Sequence, residues 1–114
     1  MIQTAKSVYD KPGPDDGERI LVMRTWPRGI SKGKVDKWLK ELGTDMDLIH
    51  EWKQGKVTWE EFSSRYVKSL KGKEEVLMEL ASESKKGTVT LLCTDKDETR
   101  CHRSLLRKEI ERYL

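Results

Sequence analysis

Hydrophobic positions follow two different periods along the chain, which predicts a protein of mixed strands and helices. Residues 2–9 alternate weakly, as an edge strand does, and Thr88–Cys93 is a short run rich in β-branched and aliphatic residues. Residues Arg19–Thr25 contain a continuous apolar run, which is typical of a strand covered on both faces. Between the first two strands, Asp10–Gly17 is dense in Pro, Gly and Asp and is predicted to be a loop.

Apolar residues at helical spacing predict five helical segments. Thr44 with Asp47, and Thr58 with Glu61, resemble capping boxes at two helix starts, and Gly43 is placed to end the first helix. The apolar residues that define the segments are Val35, Trp38, Leu39 and Leu42; Leu48, Ile49 and Trp52; Trp59, Phe62, Tyr66 and Leu70; Val76, Leu77, Leu80 and Ala81; and Leu105, Leu106, Ile110 and Tyr113 within 101–114.

The order of these elements predicts a single α/β domain over residues 1–114. A helical crossover between the second and third strands favours parallel neighbours, whereas the short loop after the first strand allows a hairpin. We therefore expect a small mixed, partly parallel sheet of about three strands with helices packed on it.

Charge and composition narrow the class of protein. Lys and Arg number 23 against 20 Asp and Glu, so the net charge of +3 gives no basic excess that would make nucleic acid the default partner. No apolar run approaches the length of a membrane span, and Met1–Asp10 has no signal-peptide core, so we expect a cytoplasmic protein. The absence of Asn beside abundant Lys and Glu is typical of thermophilic proteins.

Two loops with chemically useful side chains are predicted to meet at one edge of the sheet. If Arg19–Thr25 and Thr88–Cys93 are parallel, the loops that follow them share the edge where open α/β sheets bind ligands. Arg24, Arg28 and Arg103 are expected to bind an anion near the start of the last helix, and Trp26 to stack on a planar group. Lys96 and His102 are the candidate catalytic residues. The alternative is that the arginines pair with local carboxylates and that Trp26 belongs to the core.

The two cysteines, Cys93 and Cys101, allow three roles besides simple burial. A metal could be held with His102, but adjacent ligands at 101 and 102 are awkward and no fourth is evident, so neither a metal nor a cofactor is predicted. A disulfide is sterically possible. A reactive thiol is the third possibility, because Cys101 at a helix N-terminus beside His102 should have a lowered pKa.

Two segments together resemble the DUF488 family, and more closely its YeaO-like branch. They are residues 19–29, with Trp26-Pro27-Arg28-Gly29, and residues 91–105, with Cys101-His102-Arg103. The resemblance covers essentially the whole chain and implies a small cytoplasmic α/β domain without an established activity. It places Arg24, Trp26, Arg28, Lys96 and His102 on the family's pattern, together with Pro27 and Gly29.

This chain also departs from the pattern of that family. Met23 stands where the family typically has an Asp, so any role of that carboxylate is vacant or falls to Asp10, Asp36 or Asp95. YeaO-like proteins can carry other residues at the positions of both cysteines, which weakens a mechanism that requires a thiolate.

Three functions remain open on the sequence. The first is binding of an anionic small ligand, bearing phosphate or carboxylate, at the carboxyl edge of the sheet. The second is a nucleic-acid-associated module that uses Lys32, Lys34, Lys37 and Lys40 as a phosphate track. The third is a thiol or redox role for Cys93 and Cys101.

Overall fold

The computed structural model describes all 114 residues and contains four parallel strands and four α-helices. The strands are β1 (Ile2–Gln3), β2 (Glu18–Leu21), β3 (Lys37–Trp38) and β4 (Val89–Leu92). The helices are α1 (Met46–Lys53), α2 (Trp59–Ser69), α3 (Glu74–Lys86) and α4 (His102–Glu111). The predicted α/β class is confirmed.

The sheet has the strand order β1-β4-β2-β3, and every neighbouring pair is parallel. The hairpin that the first loop allowed is therefore not formed, because β1 and β2 flank β4 on opposite sides. The chain after β1 passes the carboxyl end of β4, where the Val8 amide donates to the Cys93 carbonyl at 2.9 Å. Val8 then packs with Leu21 and Leu92 on one face of the sheet. This crossing converts a mixed sheet into a fully parallel one.

The prediction of a helix around residues 35–42 is wrong. Residues 37–38 form β3, between short 3₁₀ turns at residues 32–34 and 40–42. The backbone here completes the edge of β2, since the Asp36 amide donates to the Arg19 carbonyl at 2.8 Å and the Leu39 amide to the Leu21 carbonyl at 2.9 Å. Trp38 and Leu39 face opposite sides of the sheet, so their spacing imitates a helix without requiring one.

Helix starts follow the predicted caps in one case of two. The Thr58 hydroxyl accepts a hydrogen bond from the Glu61 amide at 3.1 Å, which confirms the cap of α2. Helix α1 instead begins after Asp45, and Thr44 caps nothing. The Thr44 side chain is buried and its hydroxyl has no hydrogen-bond partner.

The sheet has unequal layers on its two faces. The helices cover one face with a core of 16 buried residues, including Ile20, Leu91 and Tyr66. Four buried residues, Val8, Leu21, Ile30 and Leu92, form a smaller cluster on the other face, which the loops cover. No helix has both the length and the apolar content needed to cross a bilayer.

Candidate functional site

The loops after β2 and β4 line the same cleft, as the parallel arrangement predicts. Leu21 lies opposite Leu92 at the end of the two strands, so both chains leave the sheet side by side. The cleft has a volume of about 490 Å³. Its lining from these loops consists of Met23 and Thr25 on one side and Thr94, Asp95, Lys96, Asp97, Arg100, Cys101 and His102 on the other.

One wall of the cleft is apolar and comes from the helices. Ile49 and Trp52 of α1 and Phe62 of α2 line it. The rings of Trp52 and Phe62 are 5.8 Å apart and tilted by 48°. Trp52, which the sequence analysis assigned only to the apolar side of a helix, thus contributes a flat apolar surface to the cleft.

Two thiols and an imidazole lie together on the buried side of the cleft. The sulfurs of Cys93 and Cys101 are 3.2 Å apart, and the Cys101 sulfur is 3.7 Å from Nδ1 of His102. All three residues are buried, and both cysteines are free thiols. Cys101 and His102 line the cleft directly. The cluster thus combines a shielded environment with access from one side.

The orientation of the His102 ring is fixed by the backbone of β2. Nε2 lies 2.5 Å from the carbonyl oxygen of Val22. Because a carbonyl oxygen can only accept a hydrogen bond, Nε2 carries the ring hydrogen and is the donor. In the neutral imidazole, Nδ1 is then an acceptor facing the Cys101 sulfur. The ring of Tyr66 packs against the imidazole edge-on at 5.3 Å, which further restricts its rotation.

The N-terminus of α4 acts on Cys101 itself. The Cys93 thiol is placed to donate to a Cys101 thiolate, and this hydrogen bond, with the Arg103 backbone amide and guanidinium charge, lowers the pKa of Cys101 to about 7. Burial acts in the opposite direction but is outweighed. The pKa of Cys93 is raised, because its hydrogen bond to Cys101 and its burial both favour the neutral thiol. Cys101 is therefore the cysteine that ionises first.

All four predicted ligand-binding residues, Arg24, Trp26, Arg28 and Arg103, lie outside the cleft lining. The Arg24 guanidinium donates from Nε to the Gly43 carbonyl at 3.1 Å. Trp26 donates to the Ile30 carbonyl at 2.8 Å and packs against Trp38 on the opposite face of the sheet. Arg28 is exposed, and its side chain makes no hydrogen bond or ion pair. The strand ends at Leu21, so Arg24, Trp26 and Arg28 lie in the loop that follows β2.

Arg103 and Lys96, the other charged residues predicted from the sequence, occupy contrasting positions. Arg103 is fully buried, and its Nε donates to the Thr4 carbonyl at 2.8 Å. Its two terminal nitrogens have no hydrogen-bond partner, and it does not line the cleft. Lys96 is exposed at the rim of the cleft. Arg103 therefore acts through its charge on Cys101, whereas Lys96 faces the cleft.

Sequence reasoning missed several polar residues that line the cleft, including Lys53, Arg100 and Thr44. Lys53 at the end of α1 and Arg100 in the loop after β4 add positive charge to that of Lys96. Thr44 contributes the buried hydroxyl without a partner. Only the loop position of Arg100 gave a signal, because Thr44 was interpreted as a helix cap and the sequence pattern gave Lys53 no role.

The family pattern has an Asp where this chain has Met23. One of the three acidic residues considered as its replacement lies in the cleft. Met23 itself lines the cleft, and so does Asp95. Asp36 instead accepts a hydrogen bond from the Arg19 amide, and Asp10 accepts one from the Ser7 amide. Of these three acidic residues, Asp95 is therefore the one that lines the cleft.

Comparisons with known proteins give a consistent assignment. The model of the DUF488-N3a family, described as the active DUF488-N3 subclade, matches residues 2–114. The uncharacterized protein YeaO of Escherichia coli (strain K12) is 37% identical over 103 residues, which span 89% of this chain and 90% of that protein. The uncharacterized protein Rv3073c of Mycobacterium tuberculosis (strain ATCC 25618 / H37Rv) is 33% identical over 101 residues, or 87% of this chain and 85% of that protein. No solved structure matches the chain. The chain belongs to the DUF488 family, in its YeaO-like, N3a branch.

Proposed function

We propose that the protein binds a small molecule that carries a phosphate or carboxylate group and a flat apolar part, in the cleft at the carboxyl edge of the sheet. The observation that carries this proposal is the combination, in one cleft, of an aromatic wall, cationic side chains and a buried hydroxyl without a partner. The volume of the cleft falls within the range of about 300–1,000 Å³ that is typical of small-molecule sites.

Side chains rather than helix amides supply the positive charge for the anion. The first turn of α4 is directed at the Cys101 sulfur, where the Arg103 amide acts as a donor. Lys53, Lys96 and Arg100 are the cations of the cleft lining. Asp95 and Asp97 lie among them, so a ligand that also offers hydrogen-bond donors fits better than a bare anion.

The hydroxyl of Thr44 supports a ligand with polar atoms near its buried end. A buried hydroxyl without a hydrogen bond costs about 1–3 kcal/mol, which a ligand that supplies the partner recovers. Because Thr44 lines the cleft beside the aromatic wall, this contact would orient the ligand as well as hold it.

The proposal is tested by thermal unfolding with four probes: inorganic phosphate, benzoate, adenosine monophosphate and adenosine. We expect adenosine monophosphate to stabilise most, since it offers both an anion and a flat ring, and adenosine alone to act weakly. A probe at ten times its Kd stabilises by about 1.4 kcal/mol. The double variant Lys96→Ala/Arg100→Ala should lose most of the response to the anionic probes.

Arg28→Ala is the matched control for that variant. It removes one exposed positive charge, where the double variant removes two, and it does so outside the cleft, so the anion response should stay as in the parent protein. The proposal fails if no anionic probe stabilises the protein. It also fails if Arg28→Ala removes the response while Lys96→Ala/Arg100→Ala keeps it.

The nucleic-acid alternative receives less support from the proposed lysine track. Lys37 forms ion pairs with Glu83 at 2.6 Å and Glu18 at 3.5 Å. Lys40 lies over the ring of Trp38 at 4.7 Å. Both cations already have partners, so we favour the small ligand. A steep loss of affinity for unrelated DNA sequences as salt rises would reverse this preference.

A further inference from the structure

The cysteine–histidine cluster is close to the dimensions of a metal site. Zinc–sulfur bonds of about 2.3 Å and zinc–nitrogen bonds of about 2.0–2.1 Å place tetrahedral ligands about 3.5–3.8 Å apart. The separation between the Cys101 sulfur and His102 Nδ1 is 3.7 Å, within this range, and the two sulfurs, at 3.2 Å, need to move slightly apart to reach it. All three ligand atoms lie within 4.8 Å of one another and are buried.

The backbone at the start of α4 allows the neighbouring residues Cys101 and His102 to act as ligands of the same metal. Cys101 is the N-cap residue and has extended backbone angles, φ −130° and ψ 145°, whereas His102 is the first helical residue. The change of backbone conformation between them turns both side chains toward Cys93. Ligands that look awkward as neighbours in the sequence therefore converge in space.

The His102 ring also has the outer hydrogen bond that metal-bound imidazoles have. A ligating histidine almost always donates its other ring N–H to a carboxylate or a backbone carbonyl, which fixes the tautomer. The bond from Nε2 to the Val22 carbonyl leaves the Nδ1 lone pair directed at the thiols. Neither a disulfide nor a pair of buried thiols requires an imidazole nitrogen in that position.

We propose that Cys93 Sγ, Cys101 Sγ and His102 Nδ1 bind a divalent cation of the zinc type. Two thiolates and an imidazole favour such a metal over magnesium or calcium, which prefer oxygen ligands. On binding, both thiols release their protons to solvent and the metal exchanges coordinated water for the three ligands. No oxidant or reductant takes part.

A fourth ligand of the metal would reach it from the cleft. Cys101 and His102 both line the cleft, and so does Asp95, whose carboxylate is 3.9 Å from the Cys93 sulfur. Three protein ligands with a fourth position open to water or a ligand is the arrangement of catalytic zinc, whereas structural sites have four protein ligands. The site goes beyond the proposed function, because metal binding does not require the anionic ligand.

Cobalt(II) titration of the reduced, chelator-treated protein tests the site. We expect one cobalt per chain, with the visible absorption of tetrahedral coordination and thiolate-to-cobalt charge transfer, and displacement by zinc. Cys101→Ser and His102→Gln should weaken cobalt binding by more than about 100-fold, the upper end of the loss caused by removing an outer hydrogen bond. The Gln amide can still donate to Val22, so this variant removes the ligand atom selectively.

His50→Ala is the control, because His50 is the other histidine and lies exposed on α1. Its cobalt affinity should equal that of the parent protein. If the cluster variants do not fold, alkylation of the parent protein decides the question, because zinc should protect both thiols from a maleimide. The proposal is overturned if the reduced parent protein shows no tetrahedral cobalt spectrum, or if zinc leaves thiol alkylation unchanged. Cobalt binding that persists unchanged in a folded Cys101→Ser or His102→Gln variant also overturns it.

Discussion

The imidazole of His102 donates from Nε2 to the carbonyl oxygen of Val22 at 2.5 Å, across a separation of 80 residues in the chain. This hydrogen bond joins the first turn of α4 to the residue that directly follows β2. It holds together the two loops that line the cleft, and it aims Nδ1 at the thiols. One side chain thus connects the fold, the cleft and the cysteine cluster.

Loss of this hydrogen bond should destabilise the protein. His102→Ala leaves the buried Val22 carbonyl without its partner and opens space beside Tyr66, so we expect a decrease of about 2–3 kcal/mol in the free energy of unfolding. His102→Gln keeps a donor at a similar distance from the backbone and should cost less than half of that. Urea denaturation followed by circular dichroism measures both values.

His50→Ala serves as the matched control, since His50 is exposed. Its unfolding free energy should lie within about 0.5 kcal/mol of the parent value. Equal losses in His102→Ala and His50→Ala would contradict the structural role assigned to His102.

Asp16 should give the protein a defined sensitivity to acid. Burial acts to raise the pKa of Asp16, but hydrogen bonds from Lys6, the Gly13 amide and Arg19 outweigh it and lower the pKa. The stabilisation is fully present above the pKa of the unfolded state, about 3.9, and is lost as the pH falls through the lower folded value. Asp16→Asn should cost about 3 kcal/mol at neutral pH, because Arg19 is left buried without its counter-charge.

The difference in stability between the parent protein and Asp16→Asn should therefore shrink below about pH 4. Urea midpoints measured from pH 7 down to pH 2 test this. The neighbouring exposed Asp15 supplies the control Asp15→Asn, which should leave the curve almost unchanged. A constant difference across the acid range would show that Asp16 does not act through its charge.

The crossing between β1 and β2 depends on Gly17. Its φ of 63° lies in the left-handed region, and a Cβ there would collide with the Thr88 carbonyl. That carbonyl accepts a hydrogen bond from the Glu18 amide at 2.9 Å, so it cannot move without loosening β2 from β4. Gly17→Ala should cost more than about 2 kcal/mol of unfolding free energy.

A comparison with Gly29→Ala distinguishes the cost of the steric clash at Gly17 from the cost of backbone strain. Gly29 has a φ of 80°, but no atom lies within 4 Å of the position that a Cβ would take, so its substitution meets only the conformational cost, about 1 kcal/mol. Thermal unfolding of both variants gives the comparison. A Gly17→Ala variant no less stable than Gly29→Ala would contradict the close approach of Gly17 to Thr88.

The meeting of the two loops could be predicted from the sequence because it depends on topology. The helices that lie between β2 and β4 in the chain form a crossover, which favours a parallel arrangement of the two strands, so their carboxyl ends share one edge. The helix α2 was also predictable, since its Thr58 cap and apolar spacing agree. These features depend on local sequence and on connection rules, which require no knowledge of side-chain directions.

Which side chains line the cleft could not be predicted in the same way. Once β2 ends at Leu21, the direction of each following side chain depends on local turns. Trp26, for example, packs against Trp38 on the other face of the sheet. Trp38 belonged to a predicted helix, because alternating burial on two faces of a strand edge can reproduce helical spacing. The convergence of Cys101 and His102 also depends on backbone angles that the residue types do not fix.

Substitutions of Thr44 distinguish a role of its hydroxyl in ligand binding from a role in folding. Its hydroxyl is buried without a hydrogen bond, so Thr44→Val, which keeps the volume, should leave the unliganded protein as stable as the parent or more stable by up to about 1 kcal/mol. The stabilisation by adenosine monophosphate should fall, because the ligand would lose its partner in the cleft. Thr44→Ser, which keeps the hydroxyl, should retain more of that response. Thermal unfolding of the three proteins with and without the nucleotide measures both effects. A Thr44→Val variant with the full nucleotide response would remove this hydroxyl from the binding site, and a strongly destabilised one would mean that the hydroxyl is needed for folding.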